Sequence, residues 1–125
     1  RSDGFGIDLL KTKSDIQPII LSRETNPVVS ARARKLGIEV FQSVMAKDQA
    51  IQALIMVRNL NPGELVFIGN DLNDLVVLPV VGYFVCPADA HPQVLRRADL
   101  VLNHSGGQGA IRELVERLLE ERQDE

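Results

Sequence analysis

The 125-residue chain has no tryptophan and a single cysteine, Cys86. One cysteine excludes an internal disulfide and suits a reducing compartment, so the expected location is the cytoplasm. No apolar run approaches the roughly 20 residues that a membrane span needs, and the first residues show no signal-peptide pattern. There is no run of basic residues and the net charge is −3. Nucleic acid is therefore not an expected partner, and neither is a membrane. No internal repeat or low-complexity tract interrupts the chain, and no Walker or dinucleotide glycine loop follows an apolar strand. What remains is a composition of 45% hydrophobic and 25% charged residues, that of one ordinary globular domain spanning residues 1–125. Only the charged tail, residues 120–125, reads as frayed and solvated.

Apolar runs alternate with amphipathic segments. Residues 7–11 read as the end of a helix entered through Gly4 and Gly6. Residues 16–21 read as a short strand, with Pro18 best placed near its start. Pro27 suits the first turn of a helix capped by Thr25 or Asn26 and stopped at Gly37. Strands are expected at 39–41, 65–68, 83–86 and 100–102. Helices are expected at 47–60, from Pro92 to about residue 98, and along the stripe of Ile111, Leu114, Val115, Leu118 and Leu119. Residues 75–81 read as a short helix bent by Pro79 and ended by Gly82. Such alternation predicts an α/β fold with a parallel sheet, whose ligands sit beyond the carboxyl ends of the strands.

That rule singles out three places. The strand Val66-Phe67-Ile68 runs into Gly69-Asn70-Asp71-Leu72-Asn73-Asp74. Two carboxylates crowd one strand end with no basic neighbour in sequence, which favours a bound cation, and oxygen ligands of this kind suit Mg²⁺. Asp-rich turns also cap helices without further role, and Asp74 could cap the helix that follows. Ser22 and Arg23 follow residues 19–21, where a hydroxyl and a guanidinium can bind a phosphate or simply make a solvated turn. After Cys86 come Pro87-Ala88-Asp89. Lys47 opens a helix, where the macrodipole disfavours a cation. It either faces an anion bound at the same place or is a surface lysine. His91 reads as the entry to a helix, His104 has no ligand-like spacing, and Cys86 reads as a small buried hydrophobe. The turn Ser105-Gly106-Gly107-Gln108-Gly109 is a tight turn or a weak phosphate cradle.

Ser22, Lys47 and the 69–74 segment, in this order, resemble the second, third and fourth motifs of the haloacid dehalogenase superfamily. Asp3-Gly4-Phe5-Gly6-Ile7, Leu21-Ser22-Arg23, Pro87-Ala88-Asp89-Ala90-His91-Pro92, Ala98-Asp99 and Gly106-Gly107-Gln108-Gly109-Ala110-Ile111-Arg112-Glu113 narrow the resemblance to its small capless branch. That branch holds 3-deoxy-D-manno-octulosonate 8-phosphate phosphatases and the C-terminal domain of some acylneuraminate cytidylyltransferases. The resemblance implies a three-layer Rossmann-like parallel sheet and an Asp nucleophile that forms an aspartyl-phosphate. It implies Mg²⁺ held by Asp71, with Asn70 as its rival, and by Asp74. It makes Ser22 and Lys47 catalytic phosphate contacts and Arg23 a substrate contact. It implies a phosphorylated sugar-acid substrate and a homotetramer. The alternative it carries is a non-catalytic oligomerisation domain of a cytidylyltransferase.

The first motif of that family, an apolar strand ending in Asp-x-Asp-Gly, has no match. Asp3, Asp8, Asp15, Asp48, Asp99 and Asp124 follow no such strand and have no aspartate two residues on. The expectation is a domain that lacks its first strand, which in the family lies between the strands ending at Leu21 and Ile68, with the nucleophile on residues outside these 125.

Overall fold

The computed structural model describes residues 2–123; Asp124 and Glu125 of the charged tail lie outside the described residues. The preceding tail residues continue a helix to Gln123. The chain forms two compact units, Arg1–Met45 with Gly107–Glu125, and Ala46–Gly106.

The first unit contains α1 (Ser2–Lys13), β1 (Ile19–Leu21), α2 (Pro27–Leu36), β2 (Glu39–Phe41) and α5 (Ala110–Gln123). Gly4 and Gly6 do not precede the first helix, as expected, but lie inside it. Helical glycine is unfavourable by about 1 kcal/mol relative to alanine, and at Gly6 packing explains it. A Cβ there would stand 2.7 Å from the Cα of Arg112, so α1 and α5 meet backbone to backbone. Asp3 completes the junction. Its Oδ1 accepts from the N–H groups of Ile111 (3.0 Å) and Arg112 (3.3 Å), which satisfies donors that the start of a helix leaves unpaired. Leu10, Ala33, Ala110, Leu114 and Val115 are buried, so part of the expected stripe on α5 is core.

The first strand is shorter than the expected 16–21. It begins at Ile19, just after Pro18, whose missing N–H cannot join a ladder. β1 runs parallel to β2 with Ile19 opposite Glu39 and Leu21 opposite Phe41. Of the two candidate caps for α2, Asn26 is the one used, its Oδ1 accepting from Val28 N–H at 2.9 Å. Gly37 ends α2 in the left-handed region at φ 70°, where glycine is the least strained residue.

The second unit contains α3 (Lys47–Arg58), a 3₁₀ turn (Pro62–Glu64), β3 (Val66–Ile68), a 3₁₀ segment (Leu72–Val80), β4 (Tyr83–Cys86), α4 (Pro92–Arg97) and β5 (Leu100–Val101). Its strands form a parallel sheet in the order β3-β4-β5. α3 stops two residues before the expected 60, because Asn59 takes the left-handed conformation (φ 53°). The short helix expected at 75–81 is a longer 3₁₀ segment from Leu72. Its first turn is tightened by the bond from Asp74 N–H to Asp71 C=O at 2.9 Å, an i→i+3 contact that sets the 3₁₀ pitch. Val81, not Gly82, terminates it.

Ile51, Val77, Phe84, Val85, Cys86, Ala90, Val94 and Leu102 are the buried apolar residues that form this core. Phe84 is fully buried, and its ring lies 5.5 Å from that of Phe67. Phe84→Ala is expected to cost about 3–5 kcal/mol of stability, measurable by urea unfolding. Cys86 is buried as expected, and burial pushes its thiol pKa up, which makes it a poor nucleophile.

The strands thus make two sheets, β1-β2 and β3-β4-β5. The strand expected between those ending at Leu21 and Ile68 has no counterpart among the described residues. Among the described residues, no helix is long and apolar enough to cross a membrane.

Candidate functional site

The acidic segment begins where β3 ends. Gly69 is buried, and a Cβ on it would stand 2.7 Å from the Phe67 ring and 2.8 Å from the Asp74 Cβ. The chain turns here through a space that only glycine fits. Asn70 and Asp71 follow, both exposed, and the 3₁₀ segment starts at Leu72.

The two carboxylates divide their work. Asp74 is buried, with 2% of its surface exposed. Its Oδ2 accepts from the N–H groups of Asn70 (3.0 Å) and Asp71 (3.1 Å). Its Oδ1 accepts from Lys47 Nζ at 2.7 Å. A buried carboxylate is costly unless paired and hydrogen-bonded, and Asp74 is both. It therefore fixes the backbone of the acidic loop and anchors Lys47. Asp71 faces outward. Its Oδ1 caps Leu72 N–H at 2.8 Å, and its Oδ2 accepts from Asn73 Nδ2 at 3.2 Å. Asp71 is thus the cap and Asp74 the reciprocal third residue of a capping box. The Asp71 carboxylate keeps acceptor capacity for a further partner, since an ionised carboxylate has about four acceptor sites.

Lys47 occupies the first position of α3, and its ion pair with Asp74 resolves the conflict with the helix dipole. Its side chain is 13% exposed. An ammonium carries three donors, and the bond to Asp74 uses one. The geometry leaves a partly buried cation able to bond a second anion.

In the other unit, Ser22 follows β1. Its N–H donates to Phe41 C=O at 3.0 Å, and its C=O accepts from Val44 N–H at 2.9 Å. Its Oγ accepts from Glu24 N–H at 3.0 Å, so the hydroxyl proton is left to donate. Arg23 is exposed.

The loops beyond β3, β4 and β5 are tied together. His91 N–H donates to Asn70 C=O at 2.9 Å, and Ala88 N–H to His104 C=O at 2.9 Å. Asp89 Oδ1 accepts from Gly106 N–H at 2.9 Å. His91 enters α4 as expected, its Nδ1 accepting from Gln93 N–H at 3.1 Å. Asp89 was legible only as a polar residue after a strand, and its hold on the glycine-rich turn depends on a partner 17 positions away.

The outward donors, Asp71 carboxylate and Asn70 amide, are hard oxygen ligands. Among the described residues, no group of three or more His, Cys, Asp or Glu could hold a metal ion. One carboxylate still suits Mg²⁺, which keeps several waters and is commonly bound by one or two carboxylates with substrate phosphate. The donor set therefore fits part of a Mg²⁺ shell.

A family model described as haloacid dehalogenase-like hydrolase matches residues 7–114. The 3-deoxy-D-manno-octulosonate 8-phosphate phosphatase KdsC of Yersinia pestis is 37% identical over 118 residues, which is 94% of this chain and 63% of that protein. The chain spans just under two thirds of the curated relatives it matches. Among solved structures, the cobalt-bound deoxy-D-mannose-octulosonate 8-phosphate phosphatase of Haemophilus influenzae superposes with a TM-score of 0.91 at 32% identity, over 98% of this chain and 71% of that one. The Moraxella catarrhalis 3-deoxy-D-manno-octulosonate 8-phosphate phosphatase, in complex with magnesium ion, phosphate ion and KDO, gives 0.88 at 28% identity, over 95% and 68%. With parallel strands, an acidic turn after β3 and a lysine anchored on its second aspartate, the chain belongs to the haloacid dehalogenase-like hydrolase family.

Proposed function

We propose that this chain, as one domain over residues 1–125, supplies the metal- and phosphate-binding part of a Mg²⁺-dependent sugar-acid phosphate phosphatase. The observation that carries the reading is the division of labour at the acidic turn: Asp74 is spent on Lys47 and the loop backbone, which frees Asp71 to face a ligand. The names of the relatives add the substrate class, a 3-deoxy-D-manno-octulosonate 8-phosphate. The enzyme works as a cytoplasmic homotetramer.

In this reading Asp71 holds Mg²⁺, with the Asn70 amide as the rival ligand, and Asp74 supports both from behind. Bound Mg²⁺ offsets negative charge on the phosphate. Ser22 donates to a phosphoryl oxygen, Arg23 pairs with the substrate, and the Lys47 ammonium neutralises charge as the phosphoryl group moves. The acceptor is an aspartate outside these residues. Its carboxylate oxygen bonds to phosphorus as the P–O bond to the sugar breaks, and the departing oxygen takes a proton from a second aspartate two residues beyond the nucleophile. Water then cleaves the acyl-phosphate, which releases inorganic phosphate and restores the carboxylate.

The direct test is phosphate release from 3-deoxy-D-manno-octulosonate 8-phosphate by the full-length protein. Turnover is expected with Mg²⁺, is expected to vanish on chelation with EDTA, and is expected to return when Mg²⁺ is restored. No release under any of these conditions would sink the phosphatase reading.

A further inference from the structure

We propose that Gln42 is a positioning residue that clamps the Ser22–Asn26 loop in its binding conformation. The proposal rests on the reading of Ser22 and Arg23 as phosphate contacts. Gln42 is the first residue beyond β2, and Leu21 lies opposite Phe41 in the register. The chain leaving β2 therefore runs beside the chain leaving β1. Gln42 Nε2 donates to Asn26 C=O at 2.8 Å and to Glu24 C=O at 3.2 Å. A primary amide has two N–H donors, and both are spent on backbone carbonyls of this one loop.

The neighbouring residues show how far the clamp extends. Ser43 N–H donates to the same Glu24 carbonyl at 3.1 Å. To do so, Ser43 takes a left-handed backbone at φ 59°. A non-glycine residue there is uncommon and persists only where surrounding contacts fix it. Glu24 is thus held on both sides, its C=O by Gln42 and Ser43 and its N–H by Ser22 Oγ. Arg23 lies between Ser22 and Glu24, both held in this way. Asn26, the other carbonyl that Gln42 grips, caps α2 with its side chain. One amide therefore ties the hydroxyl of Ser22, the backbone beside Arg23 and the start of α2 into a single conformation. An ordered phosphate loop binds more tightly than a mobile one, because the ordering cost is already met.

Gln42→Met keeps the length of the side chain and removes both donors. Gln42→Glu keeps its shape and sets a carboxylate against two carbonyl oxygens. In the full-length protein, both are expected to weaken competitive inhibition by inorganic phosphate about tenfold, the effect of roughly one or two lost hydrogen bonds. KM is expected to rise by a similar factor while kcat changes about twofold or less, the pattern of lost uniform binding. A purely structural defect would instead lower kcat through a smaller active fraction and leave KM in place. The double variant Ser22→Ala/Gln42→Met is expected to lose less than the product of the two single effects, because both act through one loop. Amide hydrogen exchange at Ser22, Glu24 and Val44 is expected to speed up in Gln42→Met. Phosphate inhibition and exchange rates equal to the unsubstituted protein in both variants overturn the assignment of Gln42. If the unsubstituted full-length protein releases no phosphate from 3-deoxy-D-manno-octulosonate 8-phosphate, the underlying phosphatase reading falls, and the exchange rates still report whether the clamp exists.

Discussion

Asp74→Ala is expected to destabilise the protein by about 3–5 kcal/mol, the usual consequence of removing one partner from a buried ion pair. Two losses combine. The Lys47 ammonium, 13% exposed, is left without its counter-ion. The N–H groups of Asn70 and Asp71 lose the carboxylate oxygen that both address. A neighbouring carboxylate provides the contrast. Asp71→Ala removes only an exposed cap, which costs about 1 kcal/mol. Urea unfolding of the two variants separates them. Equal, small losses would show that Asp74 does not anchor Lys47 and the loop.

The second large effect is on catalysis. Lys47→Ala and Asp71→Ala are each expected to cut turnover by about 10²–10³-fold or more, the range for removing a group aimed at developing charge. Lys47→Ala also strands the buried Asp74 carboxylate, so its rate must be read per folded molecule. Asp71→Asn is the cleaner probe. Asparagine caps a helix about as well as aspartate, so stability is expected to hold within about 1 kcal/mol. The amide lacks the charge that binds the cation, so the Mg²⁺ concentration for half-maximal rate is expected to rise. Full turnover in Lys47→Ala and Asp71→Asn would remove the site assignment altogether.

The contrast between Asp71 and Asp74 also marks what the sequence could and could not disclose. An acidic cluster after Ile68 was legible because apolar runs and Asp-rich turns are local patterns. Which carboxylate turns inward was not, since Lys47 lies 27 positions from Asp74. The same rule separates the glycines. Gly37 was readable as a helix stop from its place after residue 36. Gly6 looks like a helix entry in the sequence, whereas its reason is the backbone of Arg112, far along the chain. Pro18 delimited β1 by local chemistry, whereas the Asp3 cap on α5 and the Gln42 clamp depend on distant partners. The 3₁₀ segment departs from the helix expected at 75–81 because Asp71 caps it earlier and the backbone bond from Asp74 N–H to Asp71 C=O sets its first turn.

In the proposed function these residues carry the metal and phosphate contacts, and the phosphate-accepting aspartate lies outside them. Phosphate release from 3-deoxy-D-manno-octulosonate 8-phosphate, measured side by side for the 125-residue chain and the full-length protein with Mg²⁺, tests this most directly. The expected result is release by the full-length protein and none by the 125-residue chain. Mg²⁺-dependent turnover by the 125-residue chain alone would contradict it.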